Sequence, residues 1–160
     1  MTLDELNGAD DVIIRESLKH CCGSEAWVEG MIGLRPFADR HALFSASDSV
    51  WKSLAASDWL EAFAQHPKIG EKSASRWSAE EQRGMEHASM VTALRMTQLN
   101  AEYERKFGWI FIVCASGKSA DDMLALISRR VQNDPDTELR IAADEQSKIS
   151  KLRLEKLIDG

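Results

Sequence analysis

Trp109-Ile110-Phe111-Ile112-Val113-Cys114-Ala115 is the stretch on which the fold class turns. Its aromatic and β-branched side chains suit a strand, but a strand needs a partner and the sequence holds no second run of this kind. The stretch therefore reads as buried extended chain or as a distorted helix start, and the rest of the fold falls to helices. Just upstream, a helix carrying Leu94, Leu99 and Tyr103 should close at Phe107-Gly108, with glycine as its left-handed cap. Downstream, Ser119 caps a helix through Met123, Leu126 and Ile127. Asn133-Asp134-Pro135 then stops it, and a long last helix carries Leu139, Ile149, Leu152 and Leu157.

The N-terminal half is punctuated in the same way. Asp10 or Asp11 caps a helix through Val12, Ile13, Leu18 and Cys21, with Gly23 as its stop, and Ser24 caps a short helix bearing Trp27 and Met31. Arg35-Pro36-Phe37 reads as a turn. From Ala38 to Leu54, apolar residues recur four apart at Ala42, Ala46, Val50 and Leu54. Ser57 is positioned to cap a helix from Asp58 to Gln65 bearing Trp59, Leu60 and Phe63, which must end near His66 because Pro67 disfavours helical geometry at the residue before it. Ser78 and Glu81 have the spacing of a capping box. The expectation is all-α, a single-domain helical bundle over 1–160 with about seven or eight helices, and the five tryptophans are expected to pack its core.

Composition narrows the function. A formal net charge of −6, with lysine and arginine interspersed among acids, argues against a nucleic-acid footprint and favours a small-molecule or protein partner. The three cysteines, Cys21, Cys22 and Cys114, fit neither a disulfide framework nor a zinc spacing, which suits a reducing cytosol. No signal-peptide pattern and no membrane span is expected, and the last residues, Leu157-Ile158-Asp159-Gly160, are not a peroxisomal tripeptide, so the expected location is cytoplasmic.

Of the four histidines, His20, His41 and His87 lie inside helical patterns among polar neighbours and read as solvated or partly packed. His66 sits at a helix-to-loop boundary, where an imidazole able to move protons near neutrality is well placed, although a helix C-terminal histidine is also favoured by the dipole alone. Glu81 is fully explained by a capping box, yet a helix N-terminus also binds anions or carbonyls, and the two roles are compatible. A metal site of His66, Glu81 and His87 has no recognised ligand spacing. Arg153 on the last helix is ordinarily a solvated charge, with a bidentate carboxylate clamp as the alternative.

At His66-Pro67-Lys68-Ile69-Gly70, followed by Trp77-Ser78 and Glu81-Gln82, the sequence resembles the 2-oxo-4-hydroxy-4-carboxy-5-ureidoimidazoline (OHCU) decarboxylases. Further blocks agree in order: Arg35-Pro36-Phe37, Asp58 to Phe63, Leu99-Asn100 with Tyr103, Lys106-Phe107-Gly108, Phe111 to Ala115, and Lys151-Leu152-Arg153-Leu154. The resemblance spans nearly the whole chain and implies an all-α fold of the OHCU decarboxylase type, a homodimer, and decarboxylation of the ureidoimidazoline to (S)-allantoin with no metal or organic cofactor. It also implies roles. His66 would be the proton donor and Pro67 would set its loop. Ser78, Ala79, Glu80, Glu81 and Gln82 would cradle the ureido arm and ring, with Ser78 and Glu81 taking part in catalysis. The peptide groups of Phe111, Ile112, Val113, Cys114 and Ala115 would bind the ring, and Arg153 would lie near the leaving carboxylate. The competing readings are a helical small-molecule-binding or scaffold domain without chemistry and a metal-assisted hydrolase of a ureide.

Overall fold

The computed structural model describes residues 1–68 and 89–159. Among the described residues there are eight α-helices and no strand: α1 Leu3–Gly8, α2 Asp11–Cys21, α3 Glu25–Gly33, α4 Arg40–Ser53, α5 Ala56–Phe63, α6 Met90–Phe107, α7 Ala120–Arg130 and α8 Pro135–Asp159. The ends are set locally. Thr2, Asp10, Ser24, Asp39, Ser89 and Ser119 each accept a backbone N–H of the helix they open, and Gly108 closes α6 with φ of 85°. That left-handed angle is open to glycine at little cost.

The chain forms two compact units, Met1–Gln65 with Gln146–Gly160, and His66–Glu145. In the first, Leu6, Ile14, Leu18, Trp27, Val28, Met31, Leu43 and Leu154 are fully buried. Helices α3 and α4 meet closely where Gly30 faces Val50, since a Cβ on Gly30 would come within 2.7 Å of a Val50 methyl. In the second, Met96, Leu99, Tyr103 and Phe107 of α6 pack with Met123 and Ile127 of α7 and with Phe111, Val113 and Ala115 of the extended run.

Four sequence expectations are corrected. The buried stripe of α4 is Leu43, Ser47 and Trp51, one residue on from Ala42, Ala46 and Val50, which are half-buried. Ser47 hid it by interrupting the apolar pattern. Helix α5 runs Ala56–Phe63, not from Asp58 to Gln65, so it ends before His66, and Ser57 does not cap it; Ala55 precedes it, and its N–H donates to the Asp58 carboxylate at 3.1 Å. Leu94 is exposed, so the buried face of α6 runs through Met96, Leu99, Asn100, Tyr103 and Phe107. Helix α8 buries Ile149 as expected, but Leu139, Leu152 and Leu157 are only half-buried, and its buried face joins Ala142, Ala143, Leu154 and Ile158 to a polar row, Glu138, Glu145, Gln146, Ser150 and Arg153. Of the tryptophans, Trp27 and Trp51 are buried, Trp59 and Trp109 are half-buried, and Trp77 lies outside the described residues.

Candidate active site

Buried backbone must find hydrogen bonds, and an extended run without a neighbouring strand has no ladder to supply them. Residues Phe111 to Ala115 are each less than a tenth exposed; the Ala115 carbonyl accepts the Lys118 N–H at 3.1 Å, and the bonds at Ile112 and Cys114 come from side chains instead. Arg130 at the end of α7 donates Nη1 to the Ile112 carbonyl at 2.7 Å. Glu145 of α8 accepts the Cys114 N–H at 3.1 Å, and Lys118 donates Nζ to the Cys114 carbonyl at 2.7 Å. Among the described residues, nothing bonds the N–H or the carbonyl of Val113, a residue 4 % exposed. Of the two readings left open by the sequence, buried extended chain is the one adopted.

Arg130 is itself tightly held. Its guanidinium lies 4.5 Å from the Phe111 ring centroid, and Nε and Nη2 donate to Glu138 Oε2 at 2.9 and 2.6 Å. Glu138, fully buried, also accepts from the Tyr103 hydroxyl and from Asn133 Nδ2, while Trp109 Nε1 donates to the Tyr103 oxygen at 3.1 Å. Burial, reinforced by donation to Glu138, pushes the Tyr103 hydroxyl well above its usual pKa. Sequence reasoning missed Arg130, Glu138 and Glu145. The available signal was periodic: Arg130 follows Met123 and Ile127 on the apolar stripe of α7, and Glu138, Ala142, Glu145 and Ile149 share one face of α8.

His66 is half-buried on the exit from α5, whose last turn is closed by the Ala64 and Gln65 N–H groups on the carbonyls of Leu60 and Ala62. Past Pro67, Lys68 pairs with Glu104 of α6 at 2.9 Å, tying down the chain just beyond the histidine. Ser78, Ala79, Glu80, Glu81 and Gln82, with the expected capping box and His87, lie outside the described residues. His20 and His41 are exposed, as expected. Among the described residues no group of three potential ligands could hold a metal ion, and no helix is long and apolar enough to cross a membrane.

Arg153 departs from the solvated reading: it is 8 % exposed and donates Nη1 to the His20 carbonyl at 3.2 Å. Beside it sit the free, buried thiols Cys21 and Cys22. Burial pushes both thiols up, Cys22 to about 11, against a partial opposing pull from Arg153. Below the ordinary thiol pKa, folded and unfolded chains bind the same thiol protons. Above it the unfolded chain ionises first, so stability falls as pH rises, for Cys22 until about 11. Urea melts from pH 8 to 10.5 should show this decline, approaching about 1.4 kcal/mol per pH unit for each thiol. In Cys22→Ala the slope should flatten; an equal slope there would remove Cys22 from the account.

Among the described residues the fold is all-helical, with a buried extended segment held by charged side chains. The sequence pattern of the OHCU decarboxylase family matches residues 7–155, and the chain belongs to that family. It is 38% identical over 147 residues to the uric acid degradation bifunctional protein TTL of Arabidopsis thaliana, covering 87% of this chain and 45% of that protein; the chain thus spans just under half of that relative. It is 30% identical over 131 residues to the OHCU decarboxylase of Amia calva, covering 78% of this chain and 75% of that one. The crystal structure of an OHCU decarboxylase in the presence of (S)-allantoin superposes with a TM-score of 0.82 at 33% identity, over 95% of this chain and all of that one.

Proposed function

We propose that this chain decarboxylates 2-oxo-4-hydroxy-4-carboxy-5-ureidoimidazoline to (S)-allantoin in urate breakdown, with no metal or organic cofactor. Beside the family membership, one observation carries the reading: a buried extended run whose Val113 peptide groups bond to no described residue. Buried amides and carbonyls in that state suit a planar ring rich in N–H and C=O groups. The chemistry explains why the proposed reaction needs no electron-sink cofactor. As the bond to the carboxylate breaks, its electron pair moves into the adjacent C=N bond, and the ring nitrogen takes up a proton. The resulting enol loses its hydroxyl proton to become a carbonyl, and one face of the ureido-bearing carbon is protonated. What the protein must supply is positioning and proton delivery.

In this reading His66 handles the hydroxyl proton and the proton placed on carbon, with Pro67 fixing its loop. Ser78, Ala79, Glu80, Glu81 and Gln82 hold the ureido arm, Glu81 engages His66 or the substrate, and Phe111 to Ala115 hold the ring. Arg153 attracts the carboxylate. Because that charge vanishes as carbon dioxide leaves, a cation gripping it serves binding more than rate. Arg153→Lys, which loses the planar fork, should therefore raise KM by about tenfold and lower kcat less. A larger loss in kcat than in KM would move Arg153 into the chemical step. The working form is proposed to be a cytoplasmic homodimer, a state that sedimentation equilibrium tests.

The deciding experiment generates the unstable substrate in situ from urate with an oxidase and a hydrolase, adds this protein after chelation, and follows decay and optical rotation. Accelerated decay to a single enantiomer supports the proposal. Decay at the spontaneous rate to racemic allantoin would leave a helical binding domain without chemistry.

A further inference from the structure

We infer that Arg130 is a positioning residue for this reaction, acting through the backbone of the extended run rather than on the substrate. The inference rests on the proposed role of Phe111 to Ala115. Arg130 is 6 % exposed and divides its donors between two duties, the Ile112 carbonyl at 2.7 Å and the Glu138 carboxylate at 2.6 and 2.9 Å. Its flat face meanwhile covers Phe111, 4.5 Å from the ring centroid. One side chain thus fixes both the ring of residue 111 and the peptide oxygen of residue 112. Glu145 and Lys118 fix the next peptide groups but one, at Cys114. The Val113 peptide groups left for a ligand are therefore bracketed on both sides by charged side chains that substitute for a β-ladder.

A lysine cannot reproduce this arrangement. Its single ammonium could keep the ion pair with Glu138 or reach the Ile112 carbonyl, but it has no planar face for Phe111 and no fork to serve both partners. The burial of the pair argues for a positional role, because a buried ion pair is seldom the cheapest way to gain stability; apolar residues of similar volume often do as well or better.

The test compares the unsubstituted protein with Arg130→Lys and with the paired change Arg130→Met/Glu138→Leu, which leaves no uncompensated buried charge. Turnover is normalised to folded protein by circular dichroism, and kcat, KM and the enantiomeric excess of allantoin are measured well below each melting temperature. The expected result is a fall in kcat of about 10- to 100-fold in both variants, with KM changed much less and enantiomeric excess reduced. A purely structural role would lower the melting temperature of Arg130→Lys but leave kcat per folded molecule and enantiomeric excess at parental values, and that result overturns the inference. A paired variant that fails to fold also counts against it, since the pair would then be a requirement of folding. If the unsubstituted protein itself is inactive, the proposed function fails, whereas an active parent with unaltered variants fails only the role of Arg130.

Discussion

His66→Ala is expected to lose about 10²- to 10⁴-fold in kcat, the usual worth of a positioned acid or base, while melting within a few degrees of the unsubstituted protein. The two halves of that expectation have separate physical grounds. The last turn of α5 is closed by backbone bonds from Ala64 and Gln65 to Leu60 and Ala62, so the imidazole is not needed to end the helix. Pro67 keeps residue 66 out of helical geometry whatever side chain it carries, and Lys68 is paired with Glu104. That pair is two-fifths exposed on each side and worth under about 1 kcal/mol, enough to bias a loop but not to carry the fold. The proposed chemistry, in contrast, needs a group able to accept the hydroxyl proton and return one to carbon near neutral pH, which is the range of histidine. The enantiomeric excess sharpens the test. If residual decay in His66→Ala is spontaneous, its allantoin is racemic. Undiminished turnover in a folded His66→Ala protein would sink the proposed role.

Why His66 stood out in the sequence as a candidate and Arg130 did not comes down to what each residue does to the pattern around it. Proline at 67 announces a helix end, so a histidine before it stands out with no knowledge of packing. The capped helix starts at Asp10, Ser24 and Ser119 and the glycine stop at Gly108 were readable for the same reason, because each acts within a few residues of itself. The pairless run from Trp109 to Ala115 was also readable, but only as a negative: it had no strand to join. What replaces that strand is tertiary. Arg130 and Glu145 lie 18 and 31 residues from the peptide groups they bond, and a charged residue on an apolar stripe reads as an interruption until its partner is known. The same blindness moved the predicted stripe of α4 off Ser47 and put leucines ahead of Glu138, Gln146 and Ser150 on the buried face of α8. Ser57 failed as a cap for a different reason: α5 begins two residues earlier and uses only the returning carboxylate of Asp58.

Glu138→Leu should be among the most damaging single substitutions away from the reacting groups, lowering stability by about 3–5 kcal/mol. Leucine has nearly the right volume, so little of this is cavity. The damage comes from what is left behind. Arg130 would remain 6 % exposed with its charge uncompensated, and the Tyr103 hydroxyl and Asn133 amide would lose the acceptor they share. Leaving buried donors unsatisfied costs more than their bonds contribute when made. Adding Arg130→Met to the same protein removes the stranded charge and should restore most of the loss, although each change alone destabilises; such non-additivity is the mark of a directly coupled pair. Urea melts of the parent, both single variants and the pair give the coupling directly. A coupling near zero would mean that water reaches the guanidinium and that Glu138 is not its effective counter-charge. A large coupling, with stability regained but turnover still low, would separate two jobs that the native pair performs together. Stability would then need only a matched volume between α7 and α8, while turnover would need a donor held against the Ile112 carbonyl.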